Sequence, residues 1–144
     1  MSDQLLQLRL YDPAKDAAMI AQWCEDHHYA GIPNAILPKL GVVVQSDGED
    51  VAALWLYMDN SCGVAFAEHP ITKGGLKPKL AKAALVFAMN FLKLEARANG
   101  YHTIIIRTLP ALARLAKDAG FVKDGEQTLV TMFCVLEEDN GNRG

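Results

Sequence analysis

A segment rich in lysine and glycine stands just before the longest predicted helix of the chain. Four of the fourteen Lys and Arg residues fall within ten residues of one another, namely Lys73, Lys77, Lys79 and Lys82. Gly74 and Gly75 lie among them, and glycine lets a backbone approach a ligand closely. A helix N-terminus carries unpaired N–H groups and partial positive charge, so acidic residues rather than lysines are usual there. The segment therefore predicts an anion site with phosphate as the natural ligand, although a solvated lysine-rich surface would have the same composition.

Histidines and cysteines are the other side chains that could do chemistry. His27 and His28 adjoin in an Asp-His-His-Tyr group, but neighbouring residues on a helix point about 100° apart, which makes them a poor pair of metal ligands. They are read as substrate lining or as a plain polar helix end. The three cysteines are far apart, with no Cys-x-x-Cys pair and no His at ligand spacing. We expect reduced thiols and no metal site.

Composition sets limits on the class of protein. The chain has 144 residues, of which 51% are apolar and 22% charged, as in one compact globular domain. We expect residues 1–144 to form this single domain, with a frayed polar tail from about residue 137. The net charge of -3 argues against binding nucleic acid through overall positive charge. The sequence shows no secretory signal and no apolar run near the ~20 residues of a membrane helix, so we expect a cytoplasmic protein that avoids membranes.

The first predicted elements are a strand and a helix. Leu5 to Tyr11 alternates apolar and polar residues, the pattern of a half-buried strand. Asp12 and Pro13 are suited to start a helix with Ala17, Ile20, Trp23 and Cys24 on one face, and Gly31 is predicted to stop it. Residues 33–40 contain two prolines and form either a short second helix or an irregular lid.

Three strands, the long helix and a strand–helix–strand sequence follow. The strands are predicted over residues 42–44, 51–58 and 62–69, with a turn at residues 46–50. The long helix spans Pro78 to Asn99, and its predicted buried face is Leu80, Ala84, Phe87, Phe91 and Leu94. Then come a parallel strand at Thr103 to Arg107, a helix at Pro110 to Gly120 and a last strand at Thr128 to Leu136. The predicted class is α/β (α+β), a mixed, mostly antiparallel central sheet with helices on both faces.

Several of these residues, in this order, resemble the GCN5-related N-acetyltransferases. The features are the strand ending in Glu68-His69-Pro70, the basic loop from Lys73 to Pro78 and the later Ala119-Gly120-Phe121. In that family a strand ends near a Pro, an Arg/Gln-x-x-Gly-x-Gly/Ala loop wraps the pyrophosphate of acetyl-CoA, and a Gly-Phe pair comes near the end. The resemblance covers Leu5 to Leu136 and implies an acyl-CoA N-acyltransferase-like fold.

The resemblance implies acetyl-CoA as co-substrate and no metal. It places the pyrophosphate against the loop residues Lys73, Gly74, Gly75, Leu76 and Lys77, mostly through backbone N–H groups. It also runs the pantetheine arm along the main chain of Phe66, Ala67 and Glu68. The loop keeps basic charge and two glycines but not the family spacing, and Pro78 has no N–H to donate.

The resemblance also implies direct attack of an amine on the thioester in a ternary complex. The family often places a Tyr four residues before the Gly of the Gly-Phe pair to protonate the leaving thiolate, and that position here is Ala116. A general base at the strand end would suffice, and Glu68 and His69 lie there. If Val64 and Phe66 face the core, Glu68 shares their face and His69 opposes it, unless a bulge resets the alternation. Glu68 could equally be a surface or helix-capping carboxylate.

The acceptor and the partners stay open. His28, Tyr29 and Tyr57 could line the acceptor pocket for a small-molecule or protein amine, although Tyr57 could be a packed strand aromatic. The irregular loop and Ala116 also suit a binding or interaction module that keeps the fold without acetyl transfer. A third hypothesis is a protein acting on nucleic acid, which the acidic net charge opposes. The last strand could pair with a second subunit to give a homodimer or lie inside the sheet.

Overall fold

The computed structural model describes residues 5–125 and residues 130, 132, 134 and 136. Within them one five-stranded sheet has its strands in chain order, β1-β2-β3-β4-β5. The first four strands are antiparallel to their neighbours, and β5 runs parallel to β4. The strands are Leu6–Leu10, Leu40–Ser46, Glu49–Met58, Val64–Thr72 and Thr103–Ile106, for β1 to β5.

Three α-helices and one 3-10 turn complete the described part of the chain. The helices are α1 at Pro13–Asp26, α2 at Pro78–Ala98 and α3 at Pro110–Asp118, and the 3-10 turn is Asn34–Ile36. The predicted element order and the mixed, mostly antiparallel sheet are therefore confirmed. The last predicted strand and the predicted frayed tail lie outside the described residues, apart from the four single positions named above.

Helices cover both faces of the sheet and create two separate hydrophobic cores. One face packs on α2 and α3, with Val42, Leu54 and Leu56 fully buried beneath them. The other face packs on α1, with Trp23, Trp55 and Ile71 among its buried side chains. The two faces of the sheet are thus occupied by different helices, as short hairpins followed by a strand–helix–strand unit require.

Helix α1 begins as predicted but ends earlier. Asp12 caps it, accepting a hydrogen bond from the backbone N–H of Ala14 at 3.0 Å. The predicted stop at Gly31 is wrong, because His28 already takes the left-handed conformation with φ of 59°. The N–H groups of His28 and Tyr29 then bond back to carbonyls of the last helical turn, as in a Schellman motif with His in the position usually held by Gly.

Helix α2 buries a different face from the one predicted. Its buried residues are Ala84, Leu85, Ala88, Met89, Leu92 and Ala96. Phe87 and Phe91 are only half-buried, and Leu94 is 68% exposed. The buried face is rotated about the helix axis by roughly 100° from the predicted face, which is the angle between successive residues of a helix. The buried face combines large residues such as Leu85 and Leu92 with alanines, and the alanines permit a close approach to the sheet.

An ion-paired cluster fastens α1 to the sheet. Arg9 on β1 donates two hydrogen bonds to Asp16 of α1, at 2.7 and 2.9 Å. It donates two more to Asp50 of β3, at 3.1 and 2.9 Å. Gln45 also donates to Asp50, at 3.0 Å. Hydrogen bonds from Arg9 hold the pKa of both carboxyls below the usual value, and Arg9 itself has a raised pKa.

Candidate functional site

A bulge near the end of β4 decides which side chains reach the face covered by α1. Ala53 is paired with Ile71, but Trp55 is paired with Glu68, so β4 carries one extra residue at this point. His69 occupies the bulge with φ of 60°, a left-handed conformation that few residues other than glycine adopt. The alternation of side chains resets there, as the sequence analysis allowed. Glu68 and His69 consequently lie on the same face of the sheet.

Before the bulge, alternate residues of β4 face the two different cores of the protein. Ala65 and Ala67 point into the large core beneath α2, with 0% and 1% exposure. Val64 and Phe66 are half-buried on the face of α1. Glu68 therefore shares the face of Val64 and Phe66, and the bulge brings His69 to that face as well.

His69 is held by a tyrosine on the neighbouring strand. The Tyr57 hydroxyl lies 2.7 Å from the carbonyl oxygen of Ile36 and 3.0 Å from Nε2 of His69. A carbonyl oxygen only accepts, so the single hydroxyl proton goes to Ile36 and Nε2–H of His69 donates to the tyrosine oxygen. Nδ1 is then the nitrogen without a proton. Burial lowers the pKa of His69, so the ring is neutral at pH 7.

Glu68 lies between a tyrosine and an arginine. Its half-buried position raises the pKa of the carboxyl, against an opposing effect of Arg107. Burial also raises the pKa of Tyr57, and the charge on Glu68 adds to that shift. Arg107 follows β5 and lies over the ring of Phe66, 5.5 Å from its centroid. A cation and a carboxylate therefore flank the point where β4 and β5 part.

Strands β4 and β5 stay together only over their first four residues. Pairing runs from Val64 with Thr103 to Ala67 with Ile106, while β4 continues to Thr72. Phe66 and Ala67 are engaged with β5, so their main chain is less available to a ligand than expected. From Glu68 onward no strand among the described residues pairs with this edge of β4. The free edge begins at the bulge.

The glycine loop follows directly and shows partners that the sequence did not reveal. The ammonium of Lys73 pairs with Glu49, and the backbone N–H of Lys73 donates to Val51 at 2.8 Å. Gly74 lies against Asp26, where an added Cβ would meet the carboxylate oxygen at 2.8 Å. Gly74 is therefore needed for close packing of the loop on the end of α1. Lys73 therefore mainly binds the loop to the β2–β3 hairpin.

The start of α2 keeps the features of an anion site. Gly75 has φ of 73° in the turn that leads into the helix, and Leu76 packs on the core beneath α2. Lys77 is the capping residue, and no side chain among the described residues caps the helix. Pro78 has no N–H, but the next backbone N–H groups are uncapped, and the first turn holds no acidic residue. Uncapped N–H groups at a helix start are the groups on which the predicted anion site would depend, and the site itself stays a prediction.

The Asp-His-His-Tyr group connects α1 to the end of β4. His27 Nε2 lies 2.9 Å from the carbonyl oxygen of Thr72, so it donates there. The ring of Tyr29 stacks on His27, with centroids 5.3 Å apart. Tyr29 is 52% exposed, and His28 is an exposed left-handed residue. The structure thus brings Tyr29 and Tyr57 toward the β4 bulge from two sides, and His28 serves as the helix end.

Two cavities open near the loop and the bulge. The larger, about 270 Å³, lies between the β2–β3 hairpin and the glycine loop. Its hairpin side includes Asp47 and Glu49, of which Glu49 pairs with Lys73, and its loop side includes Gly75 and Leu76. The smaller, about 190 Å³, is lined by Cys24, Tyr29, Ala30, Ile32, His69, Pro70 and Ile71. The smaller cavity is the one that contacts a predicted catalytic residue.

Two residues at this site, Arg107 and Ile36, were not predicted from the sequence. Arg107 belongs to the predicted strand Thr103 to Arg107, and a charge that closes an apolar strand was the signal available. Nothing in the sequence indicates that the Ile36 carbonyl accepts from Tyr57, since the two are 21 residues apart. Among the described residues no group of three or more His, Cys, Asp or Glu could hold a metal ion. No helix in that part of the chain is both long and apolar enough to cross a membrane.

Comparison with known proteins identifies the fold. No protein-family model and no curated protein matches the sequence. An acetyltransferase from Trypanosoma brucei has a similar structure, with 17% identity and a TM-score of 0.59 over 88% of this chain and 99% of that chain. Glucosamine-6-phosphate N-acetyltransferase from Arabidopsis thaliana has 10% identity and a TM-score of 0.59, over 90% and 99% of the two chains. An aminoglycoside acetyltransferase from an uncultured soil metagenomic sample has 16% identity and a TM-score of 0.57, over 92% and 99%.

These similarities span nearly the whole chain. Because the sequence identities are low, they show a shared fold and nothing further. The end of β4, the glycine loop and the long helix follow one another as the resemblance in the sequence implied. The chain has the fold of the GCN5-related N-acetyltransferases and is a divergent example of it.

Proposed function

We propose that the protein is an acyl-CoA-dependent N-acyltransferase that transfers an acetyl group to an amine by direct attack in a ternary complex. The observation that carries this proposal is the β4 bulge. It places a carboxylate, Glu68, and a neutral imidazole, His69, on one face, where β4 loses its pairing with β5. Structures with the same fold include acetyltransferases acting on amino sugars and aminoglycosides, which supports the reaction class.

Acetyl-CoA would supply the thioester carbonyl that the amine attacks. The chain offers two groups of contacts for it. The free edge of β4 from Glu68 onward has main-chain groups available for the pantetheine amides. The uncapped start of α2, with Gly75, Leu76, Lys77 and the turn between them, has the backbone N–H groups and positive dipole that a pyrophosphate needs.

The proposal divides the predicted cofactor residues by role. The main chain of Gly74, Gly75 and Leu76 shapes the loop, and Lys77 adds charge at its exposed end. Lys73 contributes mainly by holding the loop through Glu49, because its ammonium is already paired. Phe66 lies where the strands part and presents its side chain on the face of α1, whereas the side chain of Ala67 is buried beneath α2.

His69 is proposed as the group that accepts the proton from the amine. Its Nε2–H is engaged by Tyr57, which leaves Nδ1 as the basic atom. Tyr57 is a positioning residue, since it fixes the tautomer and the ring orientation. Glu68 attracts the ammonium form of the acceptor and stabilises the imidazolium that forms beside it.

The proton balance of the step is as follows. The acceptor ammonium loses one proton before attack, and the nitrogen loses a second as the new C–N bond forms. The C–S bond breaks, and the departing thiolate takes up one proton. Ala116 cannot supply it, so solvent or the protonated His69 does so.

The first test is a thermal melt with acetyl-CoA, combined with detection of free thiol in the presence of amines. Ligand at about 100 times its dissociation constant adds about 2.7 kcal/mol to the free energy of unfolding. Lys77→Ala combined with Lys79→Ala should reduce the rise in melting temperature, whereas Lys15→Ala, an exposed lysine on α1, should leave it unchanged. A melt with no shift at any concentration would remove the support for acetyl-CoA.

The catalytic assignment needs a variant that keeps the bulge. Asn tolerates the left-handed conformation, so His69→Asn removes the imidazole while preserving the backbone at φ of 60°. It should lower kcat by about 100-fold or more, in the range of general-base loss, with the acetyl-CoA melt unchanged. Tyr57→Phe should move the pH profile of kcat without abolishing activity. Equal activity in wild type and His69→Asn would show that the proton goes elsewhere.

A further inference from the structure

The smaller cavity has an unusual lining for a site that would receive an amine. Five of its lining residues are apolar or small: Cys24, Ala30, Ile32, Pro70 and Ile71. Only Tyr29 and His69 bring polar side-chain atoms. No Lys or Arg contributes to this lining among the described residues. The walls therefore offer few partners for hydroxyl or phosphate groups.

Cys24 belongs to this wall as an apolar surface rather than as a nucleophile. It is 1% exposed and lies in the core beneath α1. Burial raises the pKa of its thiol, although a hydrogen bond from the backbone of Ile32 acts in the opposite direction. A neutral buried thiol packs like a small hydrophobic side chain.

The cavity is small. Its volume is about 190 Å³, well below the roughly 300 to 1,000 Å³ of pockets that bind drug-sized ligands. A dry apolar cavity of about 150 Å³ can hold a benzene ring. An aromatic ring or a short alkyl chain would fill this cavity, whereas a whole aminoglycoside is too large to fit inside it.

One residue of the cavity wall adjoins a carboxylate. His69 is in the cavity wall, and Glu68 precedes it on the same face of the sheet. Tyr29, which is 52% exposed, gives the wall its exposed aromatic part. A molecule with a cationic end and an apolar body would place its charge toward Glu68 and bury its body against Ile32 and Ile71.

We propose that the acceptor is a small primary amine with an apolar aryl or alkyl body, bound in this cavity with its amino group at His69. This inference rests on the proposed function and adds the substrate class to it. The burial of the apolar body supplies the affinity, and the scarcity of polar partners rejects sugars, phosphates and polyamines.

The experiment compares acceptors and two matched variants of the full chain. Free thiol is measured with acetyl-CoA and phenethylamine, n-hexylamine, spermidine or glucosamine 6-phosphate. Ala30→Leu extends a side chain from the cavity wall, whereas Ala35→Leu makes the same change at an exposed position of the same segment outside it. Binding of phenethylamine alone is followed in parallel by ligand-observed NMR.

The expected result is a kcat/KM for the two apolar amines at least about tenfold above that for the polar ones. Ala30→Leu should lower the phenethylamine value about tenfold, and Ala35→Leu should change it by less than about twofold. Polar acceptors that react as fast as phenethylamine, or equal effects of the two variants, would overturn the inference. If no amine releases thiol but phenethylamine binds and Ala30→Leu weakens that binding, the cavity assignment stands and acyl transfer is refuted. If phenethylamine neither binds nor reacts, the inference is refuted.

Discussion

Replacing Arg9 with methionine is expected to destabilise the fold strongly, because the change leaves two carboxylates without their partner. Arg9 donates two hydrogen bonds to Asp16 and two to Asp50, at 2.7 to 3.1 Å. It connects β1, α1 and β3, which meet nowhere else through such a charged group among the described residues. Methionine keeps most of the length and apolar stem of the side chain, so the substitution isolates the loss of charge and hydrogen bonds.

The magnitude follows from how far each group is removed from water. The Asp16 side chain is only 8% exposed, whereas those of Arg9 and Asp50 are 30% and 28% exposed. Breaking a fully buried pair costs about 3 to 5 kcal/mol, and an exposed pair contributes about 1 kcal/mol or less. With one partner buried and two partly hydrated, we expect Arg9→Met to lower the free energy of unfolding by about 2 to 4 kcal/mol at pH 7.

The pH dependence identifies the cause. Arg9 lowers the pKa of Asp16 and Asp50 in the folded protein. Their contribution is therefore complete above the unfolded pKa of about 3.9, and it is lost as the pH falls through the lower folded values. In Arg9→Met the same carboxylates repel each other and bind protons more readily. The difference between wild type and variant should thus shrink as the pH falls from 6 toward 4.

Urea unfolding followed by circular dichroism at several pH values measures both quantities. Asp16→Asn and Asp50→Asn serve as matched controls, and the more buried Asp16 should give the larger loss. A difference below about 1 kcal/mol at pH 7 would show that the cluster is screened like a surface pair. A difference that grows as the pH falls would contradict the assigned pKa directions.

Three further predictions concern other parts of the chain. Gly41→Ala should lower the free energy of unfolding by about 1 to 3 kcal/mol, because the new Cβ would lie 2.4 Å from the Trp55 ring. The control Gly31→Ala, whose Cβ would have no atom within 4 Å, should leave the melting temperature nearly unchanged. His27→Ala should raise the KM for acetyl-CoA and the KM for the amine together, because the His27 ring hydrogen-bonds the end of β4 just before the glycine loop. A change in only one of the two KM values would contradict this. Glu68→Gln should raise the melting temperature at pH 7 while lowering activity, since burial raises the pKa of Glu68 and charging it there opposes folding; a lower melting temperature would contradict it.

Local patterns in the sequence predicted the elements well. The Asp12-Pro13 start of α1 and the Asp47-Gly48 turn were predictable because capping and turn geometry depend on neighbouring residues. The start of α2 at Pro78, after a turn at Gly75, was predictable for the same reason. Helix α1 was extended too far, because a histidine rather than a glycine takes the left-handed position after it.

Side-chain placement was harder to predict. Leu94 was expected in the core and is 68% exposed, because α2 packs through its alanines. Large apolar residues were weighted more heavily than small ones, yet small residues permit the closest approach of a helix to a sheet. The helical period was predicted correctly, but the face that the helix turns toward the sheet was not.

The sequence by itself determined the order of strands and helices, the turn chemistry and the basic glycine loop, since each depends on residues a few positions apart. The tertiary structure alone decided that Glu68 and His69 share a face, because one extra residue in β4 is set by pairing with β3. It alone joined Arg9 to Asp50, which is 41 residues away. It also closed the cavity beside His69, because packing brings together α1, the loop after it and β4, and no local pattern records which distant residues will meet.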